Sequence, residues 1–314
     1  MSNQLGEKKL GRILLFMFFE GIFMFVLMNQ LFGVQAERGQ FLSPVSFGTP
    51  IPPPTPEFTE SKSLENMVKN VFSQSEGSYG LVIKNITTKE TYSYNEHRVF
   101  EPGSLYKLWI MAVAYSQIEA GTLKKDTVLS QDATVLNKKF GIASASAEIA
   151  EGTVRFTVEK ALQQMITISD NYAALLLTEK VKLLNVSTFL KEHGFDESQI
   201  GSKGDPPTST TSDIALFLEK LYGGKLANKE NTEAMITLLK QQKLNNKLPK
   251  YLHDSIQIAH KTGEIDSYTH DAGIVYLPAE NYIIVVLSES DDPEAAEEHI
   301  SKISKEVYEY FTNK

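Results

Sequence analysis

The 314-residue chain predicts an α+β fold. The expected form is a five-stranded antiparallel sheet flanked by helices, with an all-α lobe inserted between the sheet's N-terminal and C-terminal strands. Three observations carry this. Two strand-like runs, 80–86 and 91–94, flank Thr87-Thr88-Lys89-Glu90 and read as a hairpin near the start of the folded part. A long stretch of helical patterning follows, from about 104 to 248. Three further strand-like segments, 255–262, 272–277 and 282–288, come only at the end, so the sheet is completed late. Before the hairpin, Leu64, Met67, Val68, Val71 and Phe72 form a helical stripe over 61–74. After the last strand, 294–311 closes the chain as an amphipathic helix.

Residues 1–36 stand apart from this body. Lys8, Lys9 and Arg12 precede an apolar run from Ile13 to Met28 that continues more weakly to Ala36. The run reads as a signal peptide, with Val34-Gln35-Ala36 as a loose cleavage site, or as an uncleaved N-terminal membrane anchor. Either reading puts the rest of the chain outside the cytoplasm, in the cell envelope. Residues 37–60 hold six of the twelve prolines and read as an extended tether, leaving 61–314 as one folded domain.

Composition removes several chemistries. The chain has no cysteine, which excludes disulfides, thiol nucleophiles and Cys-ligated metals. The net charge of −8 argues against a nucleic-acid partner. None of the six histidines stands in a metal-ligand spacing. Of these, His260 is expected to face away from Lys261. His270-Asp271 is placed in a polar loop near the presumed cleft, the one pair that a Ser–His–Asp mechanism would use.

Three short segments suggest chemistry. Ser104-Leu105-Tyr106-Lys107 opens a run apolar nearly all round, a buried helix with Ser104 at its N-terminus and Lys107 one turn along on the same side. A buried amine loses its proton more readily, so an uncharged Lys107 can accept the Ser104 proton and leave a nucleophile. Ser169-Asp170-Asn171 interrupts two helical stretches and presents a hydroxyl and an amide. Lys261-Thr262-Gly263 ends a strand. There a cation and a hydroxyl suit a carboxylate, although alternation puts Lys261 and Thr262 on opposite faces unless the strand twists. Gly263 leaves the backbone open to a substrate. Taken singly, these segments read equally as two helix caps and a strand end.

Together, S-x-x-K, S-D-N and K-T-G, spaced by 65 and 92 residues, resemble the penicillin-recognising serine enzymes, most closely class A β-lactamases. The resemblance covers 61–314 and implies a β-lactamase/transpeptidase-like fold. It implies Ser104 as the acylated nucleophile, Lys107 as its base and Ser169 as a proton relay. Asn171 would hold the substrate's amide side chain, and Lys261 and Thr262 its carboxylate. Backbone N–H groups of Ser104 and Glu264 would form the oxyanion hole. No metal or cofactor is implied, and the partner is a β-lactam or a cell-wall peptide.

One departure stands out. The family's E-x-x-L-N glutamate, which activates the deacylating water, is missing from the stretch HGFDESQIGSKGDPPTSTT. Asp196, Glu197 and Asp205 are the carboxylates nearby, and none has the family's neighbours. The alternatives left open are therefore a hydrolase with slow deacylation, a D-alanyl-D-alanine peptidase, and a binding or sensing module without turnover.

Overall fold

In the computed structural model, residues 57–72, 76–143, 146–201 and 205–313 are described. The segment 1–36, read as a signal peptide or anchor, and most of the tether lie outside them. Among the described residues no helix is long and apolar enough to cross a membrane.

The sheet has six strands rather than five. In chain order they are β1 (Thr59–Glu60), β2 (Ser78–Asn85), β3 (Glu90–Tyr94), β6 (Gln257–Ile265), β7 (Tyr268–Tyr276) and β8 (Tyr282–Glu289). Their spatial order is β1-β3-β2-β8-β7-β6. All pairings are antiparallel except β1 with β3, which is parallel. The proline content before them places Thr59 and Glu60 in the tether, whereas they form an edge strand. Beyond Pro56 the backbone regains its N–H donors, and Thr59 donates to the Lys89 carbonyl at 2.7 Å, covering an edge β3 would otherwise expose.

Alternation along the central strands builds two cores. Val82, Ile283, Val285 and Leu287 point to one side, with Ala259, Ala272 and Ile274. Leu81, Ile83, Ile284, Val286 and Val275 point to the other. The second core is closed by α1 (Lys62–Phe72) and α9 (Pro293–Thr312) through Leu64, Val68, Ile300, Ile303 and Val307. The first is closed by the inserted lobe, whose central helix α2 (Lys107–Glu119) is buried continuously from Lys107 to Tyr115. Truncating a Leu in such a helix costs about 2–5 kcal/mol.

The lobe is not all-α. Between α2 and the helix pair α4 (Val158–Thr167) and α5 (Asn171–Val181) lies a two-stranded ribbon, β4 (Val128–Asp132) with β5 (Thr153–Thr157), and α3 (Ala133–Lys139) follows β4. Leu129 faces Phe156 across the ribbon. Five-residue runs with every second side chain inward are too short for a helix, and the period is that of a strand. The lobe continues with α6 (Leu183–Glu192), α7 (Thr211–Tyr222) and α8 (Lys229–Lys240).

Candidate active site

Ser104 does not start an α-helix. It lies in a single 3₁₀ turn, Gly103–Tyr106, and α2 begins at Lys107. In 3₁₀ geometry residues three apart eclipse, so Ser104 and Lys107 emerge on the same side. The turn is pressed onto the backbone of β6. A Cβ on Gly103 (φ +49°) would lie 2.7 Å from the Glu264 nitrogen, and one on Gly263 would lie 2.4 Å from the Pro102 carbonyl oxygen. Both positions demand glycine, and together they bring Ser104 beside the Gly263–Glu264 peptide.

Ser169 follows α4 in a left-handed conformation, φ +61°, uncommon for a residue with a Cβ. Three contacts hold it there. Asp170 caps α5 by accepting from the Ala173 N–H at 2.7 Å. Buried Gln242 donates to the Ile166 carbonyl at 2.8 Å, and the Lys243 N–H donates to Thr167 at 2.9 Å, satisfying the end of α4. Gln242 carries no motif, and nothing in the sequence marks it.

The three segments meet at Ser169. Lys107 Nζ donates to the Ser169 carbonyl at 2.5 Å, to Asn171 Oδ1 at 2.8 Å and to Ser169 Oγ at 3.2 Å. Lys261 Nζ donates to the same hydroxyl at 2.9 Å and to the Thr262 carbonyl at 2.7 Å. The hydroxyl against the Lys107 amine is therefore that of Ser169. Ser104 Oγ makes no hydrogen bond among the described residues and is partly exposed.

Both lysines are fully buried with neutral acceptors only. Burial lowers Lys107 to about 8, against a smaller opposing pull from Asp170 and Glu148. At pH 7 about a tenth of it is then uncharged, so the resting amine is mostly an ammonium, contrary to the neutral amine expected. Burial, and then Lys107 itself, push Lys261 well below the ordinary lysine value.

Thr262 is not drawn into this network. The β6–β7 register sets it opposite Asp271, on the face of the sheet away from Lys261. Glu264 shares that face, where its carboxylate pairs with the buried Lys247.

His270 and Asp271 are not in a loop. Both lie on β7, wholly buried and pointing to opposite faces, because their strand partners 263 and 262 do. His270 Nε2 donates to the Glu101 carbonyl at 2.8 Å, and Nδ1 accepts from the Ser288 N–H at 3.0 Å. That fixes a neutral tautomer, and burial lowers the ring to about 4. His270 thus steadies the approach to Ser104. His260 faces away from Lys261, as alternation requires, and its Nδ1 lies 2.9 Å from Asp271 Oδ1. The third member is Asn245, not a serine. This is a buried scaffold, not a triad.

Among the described residues of the loop between α6 and α7, no carboxylate bonds to the Ser169 cluster. Glu197 binds His97 Nδ1 and accepts from Thr210 Oγ1, both at 3.0 Å. Asp196 and Asp205 are exposed. The carboxylate that does reach the cluster is Glu148, whose Oε1 accepts from Asn171 Nδ2 at 2.6 Å. It lies in the loop between α3 and β5, far from every motif.

Comparison with known proteins bears on the same region. The "Beta-lactamase enzyme family" model matches residues 63–311. Beta-lactamase VEB-1 of Pseudomonas aeruginosa is 25 % identical over 284 residues, covering 81 % of this chain and 92 % of that one. Among solved structures, PBP-A superposes with a TM-score of 0.72 at 21 % identity, covering 82 % of this chain and 99 % of its own. A beta-lactamase from Sphaerobacter thermophilus superposes at 0.70 and 23 % identity, covering 80 % and 97 %. The structural likenesses confirm the β-lactamase-like fold. With four-fifths of its length matched by the family model, this chain belongs to the beta-lactamase enzyme family.

Proposed function

We propose that the protein is a serine acyl-enzyme hydrolase of the cell envelope that opens β-lactam amides through Ser104. It would be held at or beyond the membrane by residues 1–36. The observation that carries the reading is the Ser169 hydroxyl between two buried lysines. Accepting from both, it keeps its own proton free to donate into the cleft. In the proposed cycle an uncharged Lys107 takes the Ser104 proton, and Oγ attacks the lactam carbonyl. The N–H groups of Ser104 and Glu264 bind the oxyanion. As the C–N bond breaks, Ser169 passes its proton to the nitrogen and is reprotonated from Lys107. Lys261 would neutralise the substrate carboxylate.

A second reading has a specific observation behind it. Glu197 is engaged by His97 and Thr210, and among the described residues no carboxylate of the α6–α7 loop bonds to the Ser169, Lys107 and Lys261 network, which favours a long-lived acyl-enzyme or a D-alanyl-D-alanine peptidase. Penicillin acylation is on record for the relative PBP-A, of which a mutant is known as an acyl-enzyme complex with penicillin G.

The test is intact-mass spectrometry of the full chain with benzylpenicillin. The wild type should gain one penicilloyl group and Ser104→Ala none. Decay of the adduct within seconds identifies a hydrolase, and persistence identifies slow turnover. Release of D-alanine from a D-Ala-D-Ala peptide identifies the peptidase. No adduct after prolonged incubation overturns all of these.

A further inference from the structure

We infer that Glu148 selects substrates carrying an ammonium group on the side chain that Asn171 receives. This rests on the reading of Asn171 as the residue that holds the substrate's amide side chain. Asn171 sits on the exposed rim of the lysine cluster, with its Oδ1 taken by Lys107 and one Nδ2 hydrogen by Glu148. A side chain docked on the remaining Nδ2 hydrogen therefore lies beside a carboxylate.

That carboxylate is exposed and in no ion pair among the described residues; its pull on Lys107 is smaller than the effect of burial there, so its charge remains available to a ligand. It is also held in place. The next residue, Ile149, has both backbone groups tied to buried side chains. Its N–H donates to the Tyr172 hydroxyl at 3.0 Å, and its carbonyl accepts from Asn137 Nδ2 at 2.9 Å. Tyr172 Oη also lies 2.8 Å from Asn137 Oδ1. Tyr172 directly follows Asn171, so one anchor fixes both the acid and the amide it touches. A freely moving rim residue would gain little from a cationic ligand, because ordering it would offset the attraction. Glu148 has been ordered in advance.

The cleft is thereby polarised along its length. Lys261 attracts a carboxylate on the Ser169 side of the cluster, and Glu148 attracts a cation on the Asn171 side. The ligand that suits both ends is zwitterionic: an acyl group bearing a primary amine, joined through the scissile amide to a carboxylate-bearing ring or residue. Amino-substituted β-lactams and amine-bearing cell-wall peptides share that chemistry.

The experiment compares ampicillin with benzylpenicillin, which differ only by the α-amino group. Acylation rates are followed by intact mass at about pH 6, where an α-amino group is protonated. The full wild-type chain should prefer ampicillin at least about fivefold, the effect of a unit charge pair about 4 Å apart in a well-solvated setting. Glu148→Gln keeps the hydrogen bond to Asn171 and should bring the ratio near one, and Glu148→Lys should invert it. Equal rates in the wild type, or an unchanged ratio in Glu148→Gln, overturn the inference while leaving the acyl-enzyme reading intact. Absence of an adduct from both penicillins overturns the two together.

Discussion

The two faces of the β6–β7 ribbon carry the same kinds of side chain and treat them in opposite ways. Toward the lobe, Lys261 and Lys107 meet only neutral oxygens, and His270 is held neutral between a carbonyl and an N–H. Toward α9, the charges are matched. Lys247 is paired with Glu264 and, at 3.6 Å, with Glu297, while His260 faces Asp271. Burial raises an acid, yet His260 and Lys247 outweigh it and hold Asp271 below its ordinary value. A buried charge with a matched partner is a structural tie. One that meets only dipoles costs desolvation energy and keeps an unspent attraction for anions. The fold concentrates that cost on the side where the three sequence motifs converge.

Substituting one member on each face should separate reactivity from stability. Lys107→Ala is expected to slow acylation about a thousandfold, roughly 4 kcal/mol, if Lys107 is the general base proposed above. The wild-type rate should climb nearly tenfold per pH unit and level off above about pH 8, following the neutral form of Lys107. A flat profile between pH 6 and 9 would assign the proton to another group. On the opposite face, Asp271→Asn should lower stability by about 3 kcal/mol in urea unfolding, because it strips a buried ring and the Leu248 N–H of their carboxylate. Its acylation rate at saturating stability should change less than threefold. A thousandfold loss there would show that the far face takes part in the chemistry.

His270 tests the lobe face in the other direction. Its folded value, about 4, lies below the unfolded value of about 6.5, so the unfolded chain binds the extra proton first as pH falls. Stability is therefore complete above about pH 6.5 and is lost as pH falls toward 4. Between pH 7 and pH 5 the loss should be about 2 kcal/mol. His270→Gln, which keeps a donor and an acceptor, should flatten that part of the urea-midpoint profile. An unchanged slope would place the acid sensitivity in the carboxylates.

How much of this could be read from the sequence depends on range. The strands of the sheet were legible because alternation writes both faces locally: 282–288 was expected and Tyr282–Glu289 is found. The site motifs were legible because Ser104, Lys107, Ser169 and Lys261 are bunched in short segments. Glu148, Gln242 and Lys247 were not, since each acts through a loop whose position depends on long-range packing and none has a neighbour that advertises it. The ribbon β4–β5 was hidden for a different reason. Its two strands are 25 residues apart and each is too short to show its period against the helices around it. Thr262 illustrates the reverse error: a motif suggests a shared site, whereas the pleat separates it from Lys261.

The smallest expected effect concerns a third kind of setting, a pair in water. His97 and Glu197 tie the turn after β3 to the α6–α7 loop; His97 is exposed and Glu197 half-buried. The hydrogen bond His97 donates to Glu197, and the charge of that carboxylate, raise the His97 value. Their contribution is thus present below the ordinary histidine value and fades as pH rises through the raised one. Solvent screening limits it to less than about 1 kcal/mol. His97→Ala should cost a few tenths of that at pH 6 and nothing at pH 9. It also releases Glu197 from one of its two side-chain partners, leaving the Thr210 hydroxyl. If engagement by His97 is what denies the loop a base, the penicilloyl adduct should decay faster in His97→Ala than in the wild type. If the lifetime is unchanged, the loop lacks a base because of where its backbone runs, and no surface substitution will restore one.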